Sequence, residues 1–278
     1  MANESAPGAW DSKLALQLFQ SGGVEESFAV NARVFVETEK STGFFAKGEK
    51  IYLLREGQIA LTQKGKPIHL VLPGEMFGEG ALITGAPRSA TATALKPAKV
   101  LSLDEKGFHA ALGKNPEFAL MMVATLSEQL RRTIERVTAK RPGPLPPQQG
   151  AGVSEAKLKQ FRKAMGNPAL RTAMAGEPLL MKGSMGLFMF VVIDGQISLS
   201  IDGREVERVG PGGIFGESAL LSGGSRAATA VAESGVAWLP VTRDEFLEVV
   251  RVDPVSGIML LSSMSERLRH VSSLLAEA

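Results

Sequence analysis

The sequence predicts a mainly β protein with flanking helices, arranged as two similar domains in tandem, each ending in a long α-helix. Three observations support this class. The chain has 278 residues and 30 glycines, which suits about two domains with many tight turns. A residue pattern recurs at a constant offset of 138 positions and matches roughly residues 48–136 with 186–274. Within each copy, short apolar runs alternate with glycine-containing turns, and helical periodicity appears only at the ends.

The repeat is clearest in two loops, FGEGALITGAPRSATA at 77–92 and FGESALLSGGSRAATA at 215–230, which agree at ten of sixteen positions. Each copy is far longer than a solenoid unit, so each is expected to have its own core. Between the copies, residues 139–152 contain four prolines and three glycines, a composition typical of a semi-rigid spacer. We therefore predict domain 1 at 1–138, a linker at 139–152 and domain 2 at 153–278.

The predicted elements follow the same order in both copies. A helix comes first, at Lys13–Gln20 and at Glu155–Met165. Strand-favouring residues on both sides of a glycine then predict a hairpin in KIYLLREGQIALTQ and in LFMFVVIDGQISLSI, and the Asp-Gly pair at 202–203 adds a tight turn. Further strands follow the repeated loop, and apolar residues at helical spacing predict a closing helix at about 116–138 and 254–276. Many short strands bracketed by helices favour a small β-barrel or roll.

The composition argues against several classes of function. The chain has 31 basic and 29 acidic residues, so it has no overall attraction to nucleic acid or to anionic membranes. It has no cysteine, three dispersed histidines and neither a nucleophile motif nor a Walker motif, so we expect no enzymatic activity, no metal and no cofactor. The N-terminus lacks the pattern of a signal peptide, and the longest apolar run has seven residues, whereas a membrane span needs about 20. We expect a cytoplasmic protein with no nucleic-acid or membrane partner.

The repeated loop has features that suit an anionic ligand. In copy two, Gly216 lacks the Cβ that would keep a ligand away from the backbone, and a short helix after it would offer unpaired N–H groups. Arg226 has a permanently charged fork that suits phosphate, whereas Glu217 would repel an anion. A ligand with a phosphate at one end and hydroxyl donors at the other satisfies both side chains, and a ribose cyclic phosphate has this shape. The same charges are also compatible with a structural ion pair, and this alternative stays open.

Both loops resemble the phosphate-binding cassette of the cyclic-nucleotide-binding domain family, which includes bacterial catabolite-activator-type regulators and kinase regulatory subunits. The order Phe-Gly-Glu, Ala-Leu, Arg and Ala-Thr occurs twice, and we call the two loops the first and the second cassette. The resemblance implies two jelly-roll-like β-rolls (double-stranded β-helices), with Glu79 and Glu217 on the ribose 2′-hydroxyl and Arg88 and Arg226 on the cyclic phosphate. A rough alignment adds one polar position on each trailing helix as a cap for the base. The implied ligand-binding residues are Phe77, Gly78, Glu79, Gly80, Ala81, Arg88, Ser89, Ala90 and Thr133 in domain 1, and Phe215, Gly216, Glu217, Ser218, Ala219, Arg226, Ala227, Ala228 and Ser272 in domain 2.

Copy one departs from the family pattern upstream of its cassette. Its segment EKSTGFFAKGEKIYLL lacks the Gly-Glu opening that copy two has in GEPLLMKGSMGLFMFVV.

The resemblance implies a non-enzymatic cyclic-nucleotide sensor, with cAMP as the expected ligand and cGMP as the alternative. In the family, alanine after the cassette arginine accompanies adenine and a hydroxyl residue often accompanies guanine, so Ala227 favours cAMP and Ser89 suits either base. We expect bound ligand to move the trailing helices and so to signal to a protein partner. The two trailing helices would pair within the chain as a pseudo-dimer, or between chains in a homodimer.

Two related classes fit the sequence less well. A DNA-binding regulator would need a helix-turn-helix domain after a trailing helix, and we find no segment that fits one. A kinase regulatory subunit would need a docking segment before domain 1, and residues 1–12 are too short for it. The alternative that remains is a pair of domains that binds another phosphorylated ligand, such as a cyclic dinucleotide, or that binds no ligand and serves as an assembly module.

Overall fold

The computed structural model describes residues 10–38, 49–140, 153–217 and 225–277. Contacts divide the chain into two compact units, Asp11–Phe118 and a second unit that contains Ala119 onward. Antiparallel strands dominate both units, and each set of strands is followed in the sequence by a long helix. The predicted fold class, two mainly β domains that each end in a long helix, is therefore confirmed.

The first unit contains three helices and six strands in its described part. They are α1 (Ser12–Gln20), β1 (Val24–Phe28), β2 (Arg33–Phe35), β3 (Lys50–Gln63), β4 (Lys66–Val71), β5 (Met76–Phe77), α2 (Glu79–Thr84), β6 (Thr91–Asp104) and α3 (Glu105–Lys114).

One antiparallel sheet organises this unit, in the order β1-β6-β3-β4, with β2 paired to β6 and β5 paired to β3. The long strands β3 and β6 shift register between Leu54 and Ile59. At this shift Gly57 has φ +94°, and a Cβ there would lie 2.4 Å from the carbonyl oxygen of Pro97. Only glycine therefore allows the two strands to stay this close.

The core of the first unit lies next to the first cassette. Phe35, Tyr52 and Phe77 are buried together, with ring centroids 5.2–6.0 Å apart. A Cβ on Gly78 would lie within 3.3 Å of Phe35 and Tyr52, so the cassette turn rests directly on this aromatic cluster.

The second unit begins within the first of two 24-residue helices. Its described elements are α4 (Glu117–Lys140), α5 (Glu155–Ala164), β7 (Arg171–Ala173), β8 (Pro178–Leu180), β9 (Phe188–Asp194), β10 (Ile197–Ile201), β11 (Arg204–Val209), β12 (Ile214–Phe215), β13 (Thr229–Ala232), β14 (Val236–Thr242), α6 (Arg243–Val252) and α7 (Pro254–Glu277).

Two four-stranded antiparallel sheets, in the orders β11-β10-β13-β8 and β12-β9-β14-β7, form the roll of the second unit. Their apolar faces share one buried cluster that includes Val192, Ile197, Phe215 and Ala230. The predicted first helices and closing helices are present, and the Asp-Gly pair at 202–203 closes a hairpin of β10 and β11. The two hairpins predicted around Gly57 and Gly195 are wrong. The first segment is the single strand β3, in which Gly57 makes a register shift instead of a turn, and the second forms β9 and β10, which belong to different sheets. Two helices that we did not predict, α3 and α6, stand between the last strand of each copy and its long helix.

Helix α4 packs in the second unit, although it follows the first unit in the sequence. Leu130, Ile134 and Val137 of α4 share a buried cluster with Val271 of α7 and Val206 of β11. Helix α4 continues to Lys140 and so includes the first two residues of the predicted linker, whose other residues, 141–152, lie outside the described part of the chain. The domain bounds 1–138 and 153–278 stay predictions.

No helix in the described ranges combines the length and the hydrophobicity that crossing a bilayer requires.

Candidate ligand-binding sites

The second cassette begins with a tight backbone turn at Gly216. Strand β12 ends at Phe215, which is buried in the core, and Gly216 follows with φ +72°. A Cβ on Gly216 would lie 2.5 Å from Nη1 of Arg226, so a side chain here would collide with the guanidinium. The glycine predicted from the sequence is thus required by both its backbone conformation and its neighbour.

Arg226 is the central charge of this site. Its side chain is 4% exposed, and Nη1 donates to the carbonyl oxygens of Gly216 at 2.5 Å and of Phe188 at 2.7 Å. The guanidinium carbon lies 5.1 Å from the centre of the Phe190 ring. Among the described residues, Nε has no hydrogen-bond partner and no carboxylate lies within ion-pair distance. Burial lowers the pKa of Arg226, and the charge of Glu217 opposes this only in part.

A buried guanidinium that keeps a donor unpaired is costly, because the desolvated charge is incompletely compensated. An anion that accepts from Nε would remove this cost. The geometry of Arg226 therefore suits an anionic ligand better than a purely structural ion pair.

Glu217 is 8% exposed and is held by a residue distant in the sequence. Ser127 of α4 donates its hydroxyl to Oε1 of Glu217 at 2.8 Å. A hydroxyl group is thus already hydrogen-bonded to the carboxylate that was expected to accept from a ribose. The predicted site residues Ser218 and Ala219 lie outside the described part of the chain.

Arg226 and Glu217 line the same pocket. Ala227 and Ala228 form part of its wall, as expected for positions that let a ligand lie close to the strand. The apolar wall comes from strands β8, β10 and β11 and from α4. The α4 residues that line the pocket are Ser127, Leu130, Arg131, Ile134 and Glu135.

The position of the helix cap differs from the rough alignment. Ser272 of α7 is exposed and is not among the residues that line the pocket. Helix α7 contributes Arg267 instead, and α4, the trailing helix of the other copy, contributes five residues. The role of Ser272 in ligand binding stays an untested prediction.

A second buried pair of charges forms part of the pocket wall. Nε and Nη2 of Arg267 each lie 2.7 Å from the carboxylate oxygens of Glu207, and Nη1 donates to the carbonyl of Ile214 at 2.5 Å. The bidentate pair connects α7 to strand β11, and the bond to Ile214 connects it to the residue before the second cassette, so Arg267 fixes the helix against the roll.

The first cassette repeats this scaffold in its own unit. Gly78 has φ +79°, and its carbonyl accepts from Nη1 of Arg88 at 2.7 Å. Arg88 is 6% exposed, and its guanidinium carbon lies 4.3 Å from the centre of the Phe35 ring. In contrast to Arg226, Arg88 also has a carboxylate partner, because its Nη2 lies 2.7 Å from Oε2 of Glu49.

The other predicted residues of the first site lie in or beside the short helix α2. Glu79 opens the helix, and burial raises its pKa, although a backbone hydrogen bond and the charges of Arg88 and His69 oppose the shift. Phe77, Ala81 and Ala90 are buried, and Ser89 is exposed. The carbonyl of Gly80 accepts from the hydroxyl of Thr84 at 2.6 Å.

Thr133 belongs to α4 and so to the second compact unit. Its hydroxyl donates to the carbonyl of Gln129 one turn earlier, at 2.7 Å.

Sequence reasoning did not identify several residues at these sites, among them Glu49, Ser127, Glu207 and Arg267. Ser127 and Arg267 lie on the predicted closing helices, but the sequence gives no signal for which pocket each would reach. Glu49 lies in the segment where copy one departs from the family pattern. That departure could have indicated that this segment contributes a different residue to the site.

Fold and site together define the class of the protein. It has two β-roll units, each with a Gly-Glu turn beside a buried arginine, and the second unit has a pocket beside this pair. The chain belongs to the cyclic nucleotide-binding domain family, whose sequence profile matches residues 35–115 and 170–253. Membership supports a cyclic nucleotide as the class of ligand.

Known relatives differ widely in how much of the chain they match. The cyclic AMP receptor protein of Thermus thermophilus is 32% identical over 100 residues, which are 34% of this chain and 46% of that protein. The chain thus spans less than half the length of this curated relative. Among solved structures, the regulatory domain of Toxoplasma gondii PKA with cAMP is 21% identical, with a TM-score of 0.31, and the match covers 89% of this chain and 87% of that one. The N-terminal domain of a transcriptional regulator from Streptomyces coelicolor is 27% identical, with a TM-score of 0.36 and coverage of 45% and 87%.

Proposed function

We propose that the protein is a non-enzymatic cyclic-nucleotide sensor that binds cAMP, with cGMP as the alternative, and signals to a protein partner through its long helices. One observation carries the proposal: in the second unit, a buried arginine whose Nε has no partner among the described residues lies with a buried glutamate in the wall of one pocket. The arginine would bind the cyclic phosphate. The glutamate would accept a hydrogen bond from the ribose 2′-hydroxyl.

The contact between Ser127 and Glu217 supplies the route from ligand to helix. The ribose hydroxyl would donate to the same carboxylate that now accepts from Ser127. Bound ligand would therefore weaken or replace the hydrogen bond between Ser127 and Glu217, which holds α4 against the pocket. The helix then adopts a new position, and its outer surface is what a partner protein would recognise. Neither arginine has a catalytic role in this scheme, since each acts only as an anion-binding group.

One observation favours a second candidate function, ligand-independent assembly, for the first unit. Arg88 already has a counterion in Glu49, so the first cassette is compatible with a structural ion pair. In this alternative the first unit serves as an interaction module, and only the second unit senses ligand.

Isothermal titration calorimetry with cAMP, cGMP and c-di-GMP tests these proposals. We expect cAMP to bind, and we expect Arg226→Ala to weaken binding at the second site by roughly ten- to a hundredfold, the value of a charge-assisted contact of about 1.5–3 kcal/mol. Arg88→Ala should do the same at the first site.

Arg251→Ala is the matched control, because it removes an exposed arginine of the same unit that pairs with Glu248 outside the pocket. Absence of binding by every nucleotide would refute the sensor proposal, and binding of c-di-GMP alone would redirect it. Unchanged affinity after loss of both cassette arginines would show that the site is wrongly assigned.

A further inference from the structure

Both copies contain a hairpin with the same register, formed by β3 and β4 in the first and by β10 and β11 in the second. In the first hairpin, the register shifts after Leu61, and Ile68 is the extra residue on the opposite strand. In the second, the register shifts after Leu199, and Val206 is the extra residue. Both pairs of positions differ by 138, so each residue of one hairpin has a structural counterpart in the other.

In the second copy, the long helices cover three positions of strand β11. Arg204 donates to the carbonyl of Thr138 in the last turn of α4, at 3.3 Å. Val206 is 8% exposed and belongs to a buried cluster with apolar residues of α4 and α7. Glu207 accepts from Arg267 of α7 at 2.7 Å. Each of these residues therefore contacts a helix that crosses the hairpin.

The counterparts of these three residues in the first copy are exposed. They are Lys66, Ile68 and His69, and together we call them the hairpin surface. Ile68 is 54% exposed, the side chain of His69 is 55% exposed, and Lys66 is exposed as well. Leu61, which packs against the core of the first unit, lies opposite His69 on the neighbouring strand. The first hairpin thus presents to solvent the positions that carry a helix in the second.

We propose that the hairpin surface of the first unit is the docking site of an amphipathic helix from a partner protein. The proposal rests on the interaction role proposed for the first unit and gives that role a surface. The partner helix would place an apolar side chain on Ile68, as α4 does on Val206. Its C-terminal carbonyls would lie at Lys66, because a cation there complements the negative end of the helix dipole.

The long helices of a second copy fit this surface poorly. Among the described residues, the exposed large apolar side chains include none in α4 and only Val255 in α7, so neither helix offers an unused apolar stripe. The charge of the surface differs as well, because His69 stands where Glu207 accepts from Arg267. Histidine pairs with a carboxylate or a hydroxyl more readily than with an arginine. The partner helix should therefore carry an acidic or hydroxyl residue at this point.

Fluorescence anisotropy with a labelled peptide tests the surface on the full chain. The probe is residues 126–140, which contain the apolar stripe of α4 that packs with Val206. We expect saturable binding in the absence of nucleotide. Ile68→Glu should weaken this binding about tenfold or more, since a charge would be buried under the helix. Lys66→Glu should weaken it roughly threefold or more, since the charge at the helix terminus is reversed.

Leu187→Glu is the matched control, because it places the same charge at an apolar residue that is 73% exposed and lies outside both hairpins. It should bind the peptide as the wild type does. Ile68→Glu should retain the melting temperature of the wild type, because Ile68 is exposed, and Ile68→Ala is a milder variant that should weaken binding in the same direction.

Three results would overturn the proposal. The first is the absence of saturable binding. The second is binding that Ile68→Glu leaves unchanged and Val206→Glu abolishes, which would mean that the peptide exchanges with α4 in the second unit. The third is a wild type that dimerises in analytical ultracentrifugation while Ile68→Glu is monomeric, because a second copy would then occupy the surface.

Calorimetry with cAMP reports separately on the proposed function. A chain that binds the peptide but no nucleotide keeps its docking surface and loses the sensor role. A chain that binds nucleotide but not the peptide keeps the sensor role, and the docking proposal fails.

Discussion

Replacement of Ser127 by alanine should change stability and affinity in opposite directions. The lost hydrogen bond, 2.8 Å to a buried carboxylate, is of the charged kind that contributes about 1.5–3 kcal/mol to stability. The compact unit that contains it includes the 160 residues from 119 to 278. For a unit of this size, that loss corresponds to a fall in melting temperature of roughly 3–12 °C.

The affinity of the second site for cAMP should rise in the same variant. In the wild type, the ribose hydroxyl must replace Ser127 at Glu217, so part of the ligand's binding free energy is used to break that contact. Without Ser127 this cost disappears, and the dissociation constant should fall by up to roughly tenfold.

Differential scanning calorimetry measures the first effect. Titration of cAMP in an Arg88→Ala background, where only the second site responds, measures the second. Thr133→Ala is the control, because it removes a hydroxyl of the same helix that donates to its own backbone at Gln129. If Ser127→Ala lowers the melting temperature but leaves affinity unchanged or weakens it, ligand and helix do not compete for Glu217, and the proposed route from ligand to helix is wrong.

Two further predictions concern stability. Arg267→Met should lower the free energy of unfolding by about 3–5 kcal/mol in urea denaturation, since it leaves Glu207 buried without its partner. The double variant Arg267→Met/Glu207→Leu should recover most of this loss. A double variant as unstable as Arg267→Met alone would contradict the reasoning. Glu79→Gln should stabilise the first unit at neutral pH, because burial raises the folded-state pKa of Glu79 and its ionised form therefore destabilises the fold. The gain should shrink as pH falls through the raised pKa and vanish below about 4.5, the ordinary value, and a melting-temperature difference independent of pH would exclude this cause.

The parts of the site that are local in sequence could be predicted. Gly216, Glu217 and Arg226 lie within eleven positions of one another, and the offset of 138 repeats them at Gly78, Glu79 and Arg88. These residues act together through one turn and a short span of chain, so residue types and spacing were sufficient to predict their role. The long helices were predicted for the same reason, since their periodicity is local. The hairpin expected at Gly57 was wrong, because a glycine within a strand pattern marks a bulge as readily as a turn.

The start of helix α6 is marked by a sequence pattern that our prediction of the helices missed. Thr242 accepts from the backbone N–H of Glu245, and the Glu245 carboxylate accepts from the N–H of Thr242, which together form a capping box. The pattern Thr-x-x-Glu marks a helix start in the sequence. The start of α3 is marked more weakly, by Asp104, whose side chain accepts from the N–H of Gly107.

The contact between Ser127 and Glu217 could not be predicted, because the two residues are 90 positions apart and no local pattern relates them. Whether α4 covers a pocket in its own copy or in the other depends on where its apolar stripe finds a matching surface. That surface is formed by Val206 and Val271, which reach each other only after the second unit has folded. The family alignment assumed that each copy covers its own pocket, and it therefore placed the base cap of the second site at Ser272. This residue is exposed.

The placement of α4 suggests why two such domains share one chain. Helix α3 of the first unit ends at Lys114 and α4 begins at Glu117, so two residues separate the first fold from a helix that lines the pocket of the second. Under the proposed function, ligand at Arg226 and Glu217 changes the contacts that hold this helix in the second unit. If the two units were separate proteins, the helix would have to find its pocket by association. In one chain it is always present at high effective concentration, so the second site responds to ligand without needing a second molecule.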